Sequence, residues 1–243
     1  MGFSNGTPTI VTDGLVFAVD AGNGQSYVSG SGDCISLVGN NTGSLSDSDG
    51  SGMFSSNNQG SWDFDGVDDY IDCGDINELD AVTNFTTMVW FKLDGTGNND
   101  TIFAKTTDAN NRIDIIKHSN GILYFQVHNG GNGYLGVNFS DLGWNHVAMV
   151  FDGSQGGTIP ASPYYQAGLQ CYLNGSKITT FNTGAGTIPA ITPTLSNNFL
   201  IGEYDVSAGY FLEGKISNLQ IYNKSLSAAE VTQNYNATKE RFI

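Results

Sequence analysis

The sequence predicts an all-β sandwich of two antiparallel sheets with one short C-terminal helix, and three observations carry that expectation. Only 14% of the 243 residues are charged, 39% are hydrophobic and 32 are Gly, so the polar remainder is mostly Ser, Thr, Asn and Gly, the residues of short turns. Hydrophobic and polar residues alternate with period two in many short segments, the pattern of half-buried strands. Asn-Gly pairs recur between those segments and supply the positive φ of tight hairpin turns.

Taken along the chain, the alternating runs are LVFAVD (15–20), FTTMVWFKL (85–93), RIDIIKH (112–118), ILYFQVH (122–128), WNHVAMVFD (144–152), LQCYLNG (169–175) and KISNLQIY (215–222). Turn signals at 119–121 (SNG), 129–133 (NGGNG) and 173–177 (LNGSK) place hairpins between them. SWDF and YIDCG read as strands on either side of a turn, whereas residues 30–60, rich in Gly, Ser, Asn and Asp, read as a long meandering loop. Near the end, Ser227 is followed three residues later by Glu230, a capping box, and Val231 and Tyr235 share a helical face. Trp62, Trp90 and Trp144 fall inside alternating runs and are expected in the core, and so are Cys34, Cys73 and Cys171 as buried free thiols. His118, His128 and His146 read as sheet-packing or surface residues.

Composition also excludes function classes. A formal charge of −15 repels phosphate backbones, so nucleic acid is not an expected partner. The opening MGFSNGTPTI has no basic start or apolar core of a secretory signal, and no run is apolar enough to span a bilayer. The expectation is synthesis in a cytoplasm without export or membrane insertion, with residues 1–12 as a possible N-terminal arm and 13–243 as one domain.

The order of landmarks is specific. TDGLVFAVDAGNGQSY, LVGNNTGSL, SWDFDGVDDYIDCGD, NFTTMVWFKL, GWNHVAMVFDG followed by LQCYLNGSKI, FLIGEY and GKISNLQIYNKSLSAAEVTQNYNATKERF together resemble the concanavalin A-like lectin and glucanase superfamily, in its laminin-G-like branch. The opening and the closing NYNATKERF are similar to laminin-G-like structural proteins of tailed bacteriophages. The resemblance, over residues 10–242, implies a concanavalin A-like jelly-roll sandwich that meets ligands at one rim or on its concave sheet, by binding more often than by catalysis. Superfamily glucanases carry Glu-x-Asp-x-x-Glu on one strand; here GEYDVSA has Glu203 and Asp205, but Ala208 stands in the third position. No catalytic residue is therefore expected.

Calcium is the cofactor the residues bring forward. Around the turn in DFDGVDDY, Asp65, Gly66, Asp68 and Asp69 offer the oxygens and flexible backbone that a hard cation needs. The resemblance adds a partner from the penultimate strand, where Asn218 stands in place of the acidic residue of many relatives. The same residues also read as a turn closed by its own Asx hydrogen bonds, with the other carboxylates solvated. Sugar binding requires flat aromatic faces beside polar groups; Tyr164 and Tyr165 in the 153–168 loop, Tyr134, Tyr204 and Tyr210 are the candidates. The function implied is a non-enzymatic virion-surface protein that attaches to a host-surface polysaccharide. The alternative is an architectural decoration or fibre-associated module contacting other virion proteins, with homo-oligomerisation possible in either case.

Overall fold

The computed structural model describes residues 9–48, 52–160, 168–204 and 210–243. Its strands are β1 (Leu15–Asp20), β2 (Asp33–Ile35), β3 (Thr42–Ser46), β4 (Phe54–Ser55), β5 (Ser61–Asp65) and β6 (Tyr70–Asp72). Next come β7 (Asn84–Leu93), β8 (Asp100–Asp108), β9 (Asn111–Lys117), β10 (Ile122–Asn129), β11 (Gly133–Asn138) and β12 (Trp144–Asp152). The last six are β13 (Gly157–Thr158), β14 (Leu169–Leu173), β15 (Ser176–Lys177), β16 (Thr183–Ile188), β17 (Phe199–Ile201) and β18 (Glu213–Tyr222), followed by helix α1 (Ala228–Thr238).

Two antiparallel sheets result. An eight-stranded sheet runs β15-β14-β12-β7-β18-β5-β4 with β1 added to the distal half of β18, and a ten-stranded sheet runs β13-β16-β11-β10-β9-β8-β17-β6-β3-β2. Their inner faces meet in one core that includes Trp62, Phe64, Phe91, Phe103, Phe125 and Phe199, with Phe103 and Phe199 stacked at 5.2 Å. Each such side chain contributes roughly 1.5–3 kcal/mol by leaving water, which holds the sheets face to face. Gly202, at φ +86°, lies where any Cβ would come within 2.5 Å of the Phe64 ring, so the chain leaving β17 packs tightly on the core.

The turns behave as their residues dictate. Asn174 and Gly175 both take positive φ, 49° and 75°, and close the β14–β15 hairpin. The capping box forms in full, Ser227 accepting from the Glu230 amide and Glu230 from the Ser227 amide.

Two expectations need correction. The segment 30–60 is not a structureless loop: β2, β3 and β4 lie in it, extending both sheets with short polar strands whose backbone pairs although few of their side chains are apolar. Trp62 and Trp90 are buried as expected and Trp144 is half-buried, but Trp90 and Trp144 pack on the side of the eight-stranded sheet away from the inter-sheet core. There α1 and the C-terminal residues cover the outer face: Phe242 stacks on Trp90 at 4.3 Å and on Trp144 at 4.8 Å, and Tyr235 on Trp90 at 5.6 Å. Of the expected N-terminal arm, residues 1–8 lie outside the described residues, and Val11 is bound to this same face, where Asn234 Oδ1 accepts from the Val11 amide at 2.7 Å and the Tyr222 hydroxyl donates to the Val11 carbonyl at 2.9 Å. Cys34, Cys73 and Cys171 are buried and unpaired. No described helix is long and apolar enough to cross a membrane.

Candidate functional site

With one outer face covered by the C-terminal helix, the outer face of the ten-stranded sheet is the broad surface left for a ligand. Strand alternation sends Ile113, Ile115, Phe125, Val127 and Leu135 into the core. It therefore sends Arg112, Asp114, Tyr124, Gln126, His128 and Tyr134 outward. Register brings these together: Gln126 is directly opposite Asp114 on one side and Tyr134 on the other, and Arg112 is opposite His128.

Arg112 organises the middle of this face. Its Nε lies 3.2 Å from Asp114 Oδ2, one Nη donates to Gln126 Oε1 at 2.9 Å, and the other donates to the Tyr204 hydroxyl. Gln126 in turn donates to Asp114 Oδ1 at 2.8 Å. Asp114 is fully buried, and that desolvation pushes its carboxyl up to about 6 even though the Arg112 charge opposes it. Burial, then the Arg112 charge, holds His128 down to about 4, so it is neutral at physiological pH.

A chain of rings crosses this framework. Tyr134 meets Tyr124 edge-on at 5.5 Å, Tyr124 meets His118 at 4.9 Å, His118 meets Tyr210 at 6.1 Å, and Tyr210 meets Tyr204 at 5.9 Å. Tyr204 carries the Arg112 guanidinium over its ring at 5.4 Å. All five rings are half-buried, so each is fixed by its neighbours while part of it faces solvent.

The acidic turn connects β5 of one sheet to β6 of the other. The carboxylates of Asp65, Asp68 and Asp69 converge, with one oxygen from each within 4.8 Å of the others. Gly66 takes φ +79° at the turn, packed on Glu213, the β18 partner of Asp65. Asp65 Oδ1 accepts from the Val67 amide at 2.7 Å and the Asp68 amide at 3.3 Å, Asp69 Oδ2 accepts from the Asp65 amide at 3.0 Å, and Ser48 donates to Asp68. Burial, and then the charges of Asp65, Asp47 and Asp68, raise the Asp69 carboxyl to about 6.

The concanavalin A-like lectin/glucanases superfamily matches residues 65–232, from this acidic turn into α1. The chain belongs to that superfamily. A search of curated proteins gives no match. Among solved structures it is similar to domain 4 of an extracellular GH43 arabinanase from Geobacillus stearothermophilus in complex with arabinotriose, at 16% identity and a TM-score of 0.64, covering 91% of this chain and 98% of that one. It is also similar to a mutant Trypanosoma rangeli sialidase displaying trans-sialidase activity (11% identity, TM-score 0.63), over 95% of this chain and 34% of that one. The receptor-binding domain of the botulinum neurotoxin C/D mosaic serotype matches at 15% identity and a TM-score of 0.63, over 93% of this chain and 51% of that one. The chain thus spans about one third and one half of the latter two. These similarities show the fold alone, one found both in enzymes and in binding domains.

Within this superfamily fold the site residues divide. Tyr134, Tyr204 and Tyr210 come together in one row. Tyr164 and Tyr165 lie outside the described residues, as do Asp205 and Ala208. Asp65, Gly66, Asp68 and Asp69 form one turn, but Asn218 is apart from it. Asn218 sits five residues beyond Glu213 on β18, about 16 Å at strand spacing, beside Trp90 and Asp20 on the helix-covered sheet. A β-bulge between Ile216 and Asn218 fixes it there. The donor set that remains is entirely oxygen, with Asp69 already costly to ionise, and fits a hard divalent cation. Arg112, Tyr124, Gln126 and His118 escaped the sequence reading. Tyr124 and Gln126 alternate with Phe125 and Val127 in the ILYFQVH run, and that polar and aromatic side of the strand was the available signal.

Proposed function

We propose that this protein is a non-enzymatic carbohydrate-binding protein that presents the outer face of its ten-stranded sheet to a host-surface polysaccharide from the exterior of a tailed-phage virion. The observation that carries the binding role is the row Tyr134, Tyr124, His118, Tyr210 and Tyr204, anchored by Arg112. Half-exposed rings stack on pyranose C–H groups, while strand-mounted polar groups orient hydroxyls. The domain bound to arabinotriose among the similar structures is in keeping with this role. The virion setting rests on the resemblance of the two chain ends to phage laminin-G-like proteins.

The non-enzymatic reading is supported by where the carboxylates sit. Asp114 is locked between Arg112 and Gln126, Glu213 accepts from Asn98, and Glu230 is engaged by Lys224 and Ser227. Glu203 has no exposed surface. Asp65, Asp68 and Asp69 would hold a calcium ion, whose charge would neutralise the turn packed on Glu213, three residues after Tyr210.

A glycan array and a host-cell binding assay test this reading. Binding that falls with Tyr204→Ala, without release of reducing sugar, is the expected result. Uniform failure to bind, with Tyr204 and Tyr210 buried against other subunits in the intact particle, would show an architectural module instead.

A further inference from the structure

Beyond the tyrosine row, the same sheet face contains a hollow of about 290 Å³, near the lower end of small-molecule sites. It is lined by Tyr70, Asp72, Thr106, Asn197, Asn198 and Leu200 among others. Leu200 and Asp72 point outward because their neighbours Ile71, Phe199 and Ile201 are core. The hollow joins the ring row directly, since Thr106 is the cross-strand partner of Arg112. Register continues it as one line of opposed residues: Tyr134, Gln126, Asp114, Ala104, Leu200 and Asp72 are successive partners across six strands. At about 4.8 Å per strand that line is roughly 24 Å long, far longer than one sugar ring.

The hollow has polar groups already set. Asp72 Oδ1 accepts from the Gly74 amide at 2.9 Å and Oδ2 from Asn198 Nδ2 at 3.0 Å, and Asn197 Nδ2 donates to Thr106 Oγ1 at 3.3 Å. A tyrosine, a carboxylate, two amides and a hydroxyl around one opening can stack on one ring and meet its hydroxyls from the side.

Charge narrows the ligand further. Apart from Lys177 and Lys239, every Lys and Arg in the chain is ion-paired with a carboxylate, including Arg112 on this face. Lys177 ends the edge strand β15 of the other sheet, and Lys239 lies over Tyr235 beyond α1. No unpaired side-chain cation is therefore available here to meet a uronate or sulfate, and the formal charge of −15 opposes one at longer range.

We infer that the hollow at Tyr70, Asp72 and Asn198 is a second subsite of the proposed glycan-binding face, which takes a neutral polysaccharide across its strands and rejects acidic ones. This rests on the reading of the tyrosine row as a sugar platform.

The test uses the whole protein on an array of neutral polysaccharides together with dextran sulfate and polygalacturonate. Titration calorimetry then follows with a chain-length series, from disaccharide upward, of oligosaccharides of the best neutral binder. Affinity is expected to climb with length and then level off. Tyr70→Ala and, at an exposed position, Asn198→Ala should each remove about tenfold from the long oligomers only, the loss expected for one ring's contacts, while Tyr204→Ala weakens short and long alike. Thermal melts check that each variant folds. Binding that is insensitive to Tyr70 and Asn198 at every length, or preference for the acidic polymers, overturns the second subsite and leaves the platform standing. No binding to any glycan overturns both.

Discussion

Replacing Asp69 by Asn separates a turn that holds a cation from a turn that holds only itself. Asp69 is 3% exposed, and its carboxyl is raised from 3.8 to about 6 by burial and by the charges of Asp65, Asp47 and Asp68. A raised carboxyl takes up its proton more readily in the folded chain than in the unfolded one. Its ionisation therefore penalises the fold, with the penalty growing as pH rises from 3.8 to about 6 and constant above. The difference corresponds to at most about 3 kcal/mol, and solvent around the exposed Asp65 screens it to roughly 1–2 kcal/mol. For a domain of this size that is roughly 2–4 °C in melting temperature.

The assay is a set of melts of wild type and Asp69→Asn in chelator from pH 4 to 7.5, then with calcium added. In chelator at pH 7.5 the variant should be the more stable by that amount; the gap should be about half as large at pH 5 and close near pH 4. Calcium at a hundred times its dissociation constant should add about 2.7 kcal/mol to the wild type and far less to the variant. If the variant is no more stable in chelator at pH 7.5, the crowding of charge argued for this turn is wrong. If calcium raises neither melting temperature, the turn is closed by its Asx bonds alone.

Three more outcomes follow from groups elsewhere in the fold. Lys105 has no exposed side-chain surface, and its ammonium donates to Asp80 at 2.7 Å and to the Ile76 carbonyl at 2.8 Å; Lys105→Met should cost about 3–5 kcal/mol in chemical denaturation by leaving Asp80 unpaired. Ser227→Ala removes half of the capping box and should cost about 1 kcal/mol by the same measurement. Burial holds His146 down to about 3, so the unfolded chain gains a proton that the fold refuses; wild type should lose stability relative to His146→Gln as pH falls from 6.5 toward 4.

Where the sequence speaks, it speaks through side-chain alternation and turn chemistry. The hairpin at Asn174–Gly175, the helix start at Ser227 and strands such as β1 and β12 all follow from local rules. β8 escaped because bulges between Thr101 and Phe103 and between Thr106 and Asp108 break its period, and residues 100–106 are buried on both faces. β2 to β4 escaped because they are two to five residues long, too short for alternation to show, and are held by backbone pairing, which leaves little trace in polarity. The acidic turn was legible because its residues are neighbours in the chain. Asn218 was drawn toward it by the resemblance alone, and β18 carries it five residues beyond Glu213, to the side of Trp90. The contact between Arg112 and Tyr204 joins residues far apart in sequence, so no window of local pattern contains it.

That long-range contact decides which surface can serve a ligand. Both sheets are polar and aromatic on their outer faces, and by composition either could have been the platform. On the eight-stranded sheet, Trp90, Trp144 and His146 meet Tyr235 and Phe242 of the same chain, and Trp90 Nε1 donates to Thr238 at 2.8 Å, so these rings are used within the fold. On the ten-stranded sheet, the ion pair of Arg112 and Asp114 neutralises the centre without placing a hydrophobic cover over the tyrosines. If that asymmetry sets the division of labour, Phe242→Ala should loosen the C-terminal packing and lower the melting temperature while leaving glycan affinity unchanged. Tyr124→Ala should do the reverse. Equal loss of affinity in both variants would mean that the two faces are not independent, and that binding depends on the sandwich as a whole.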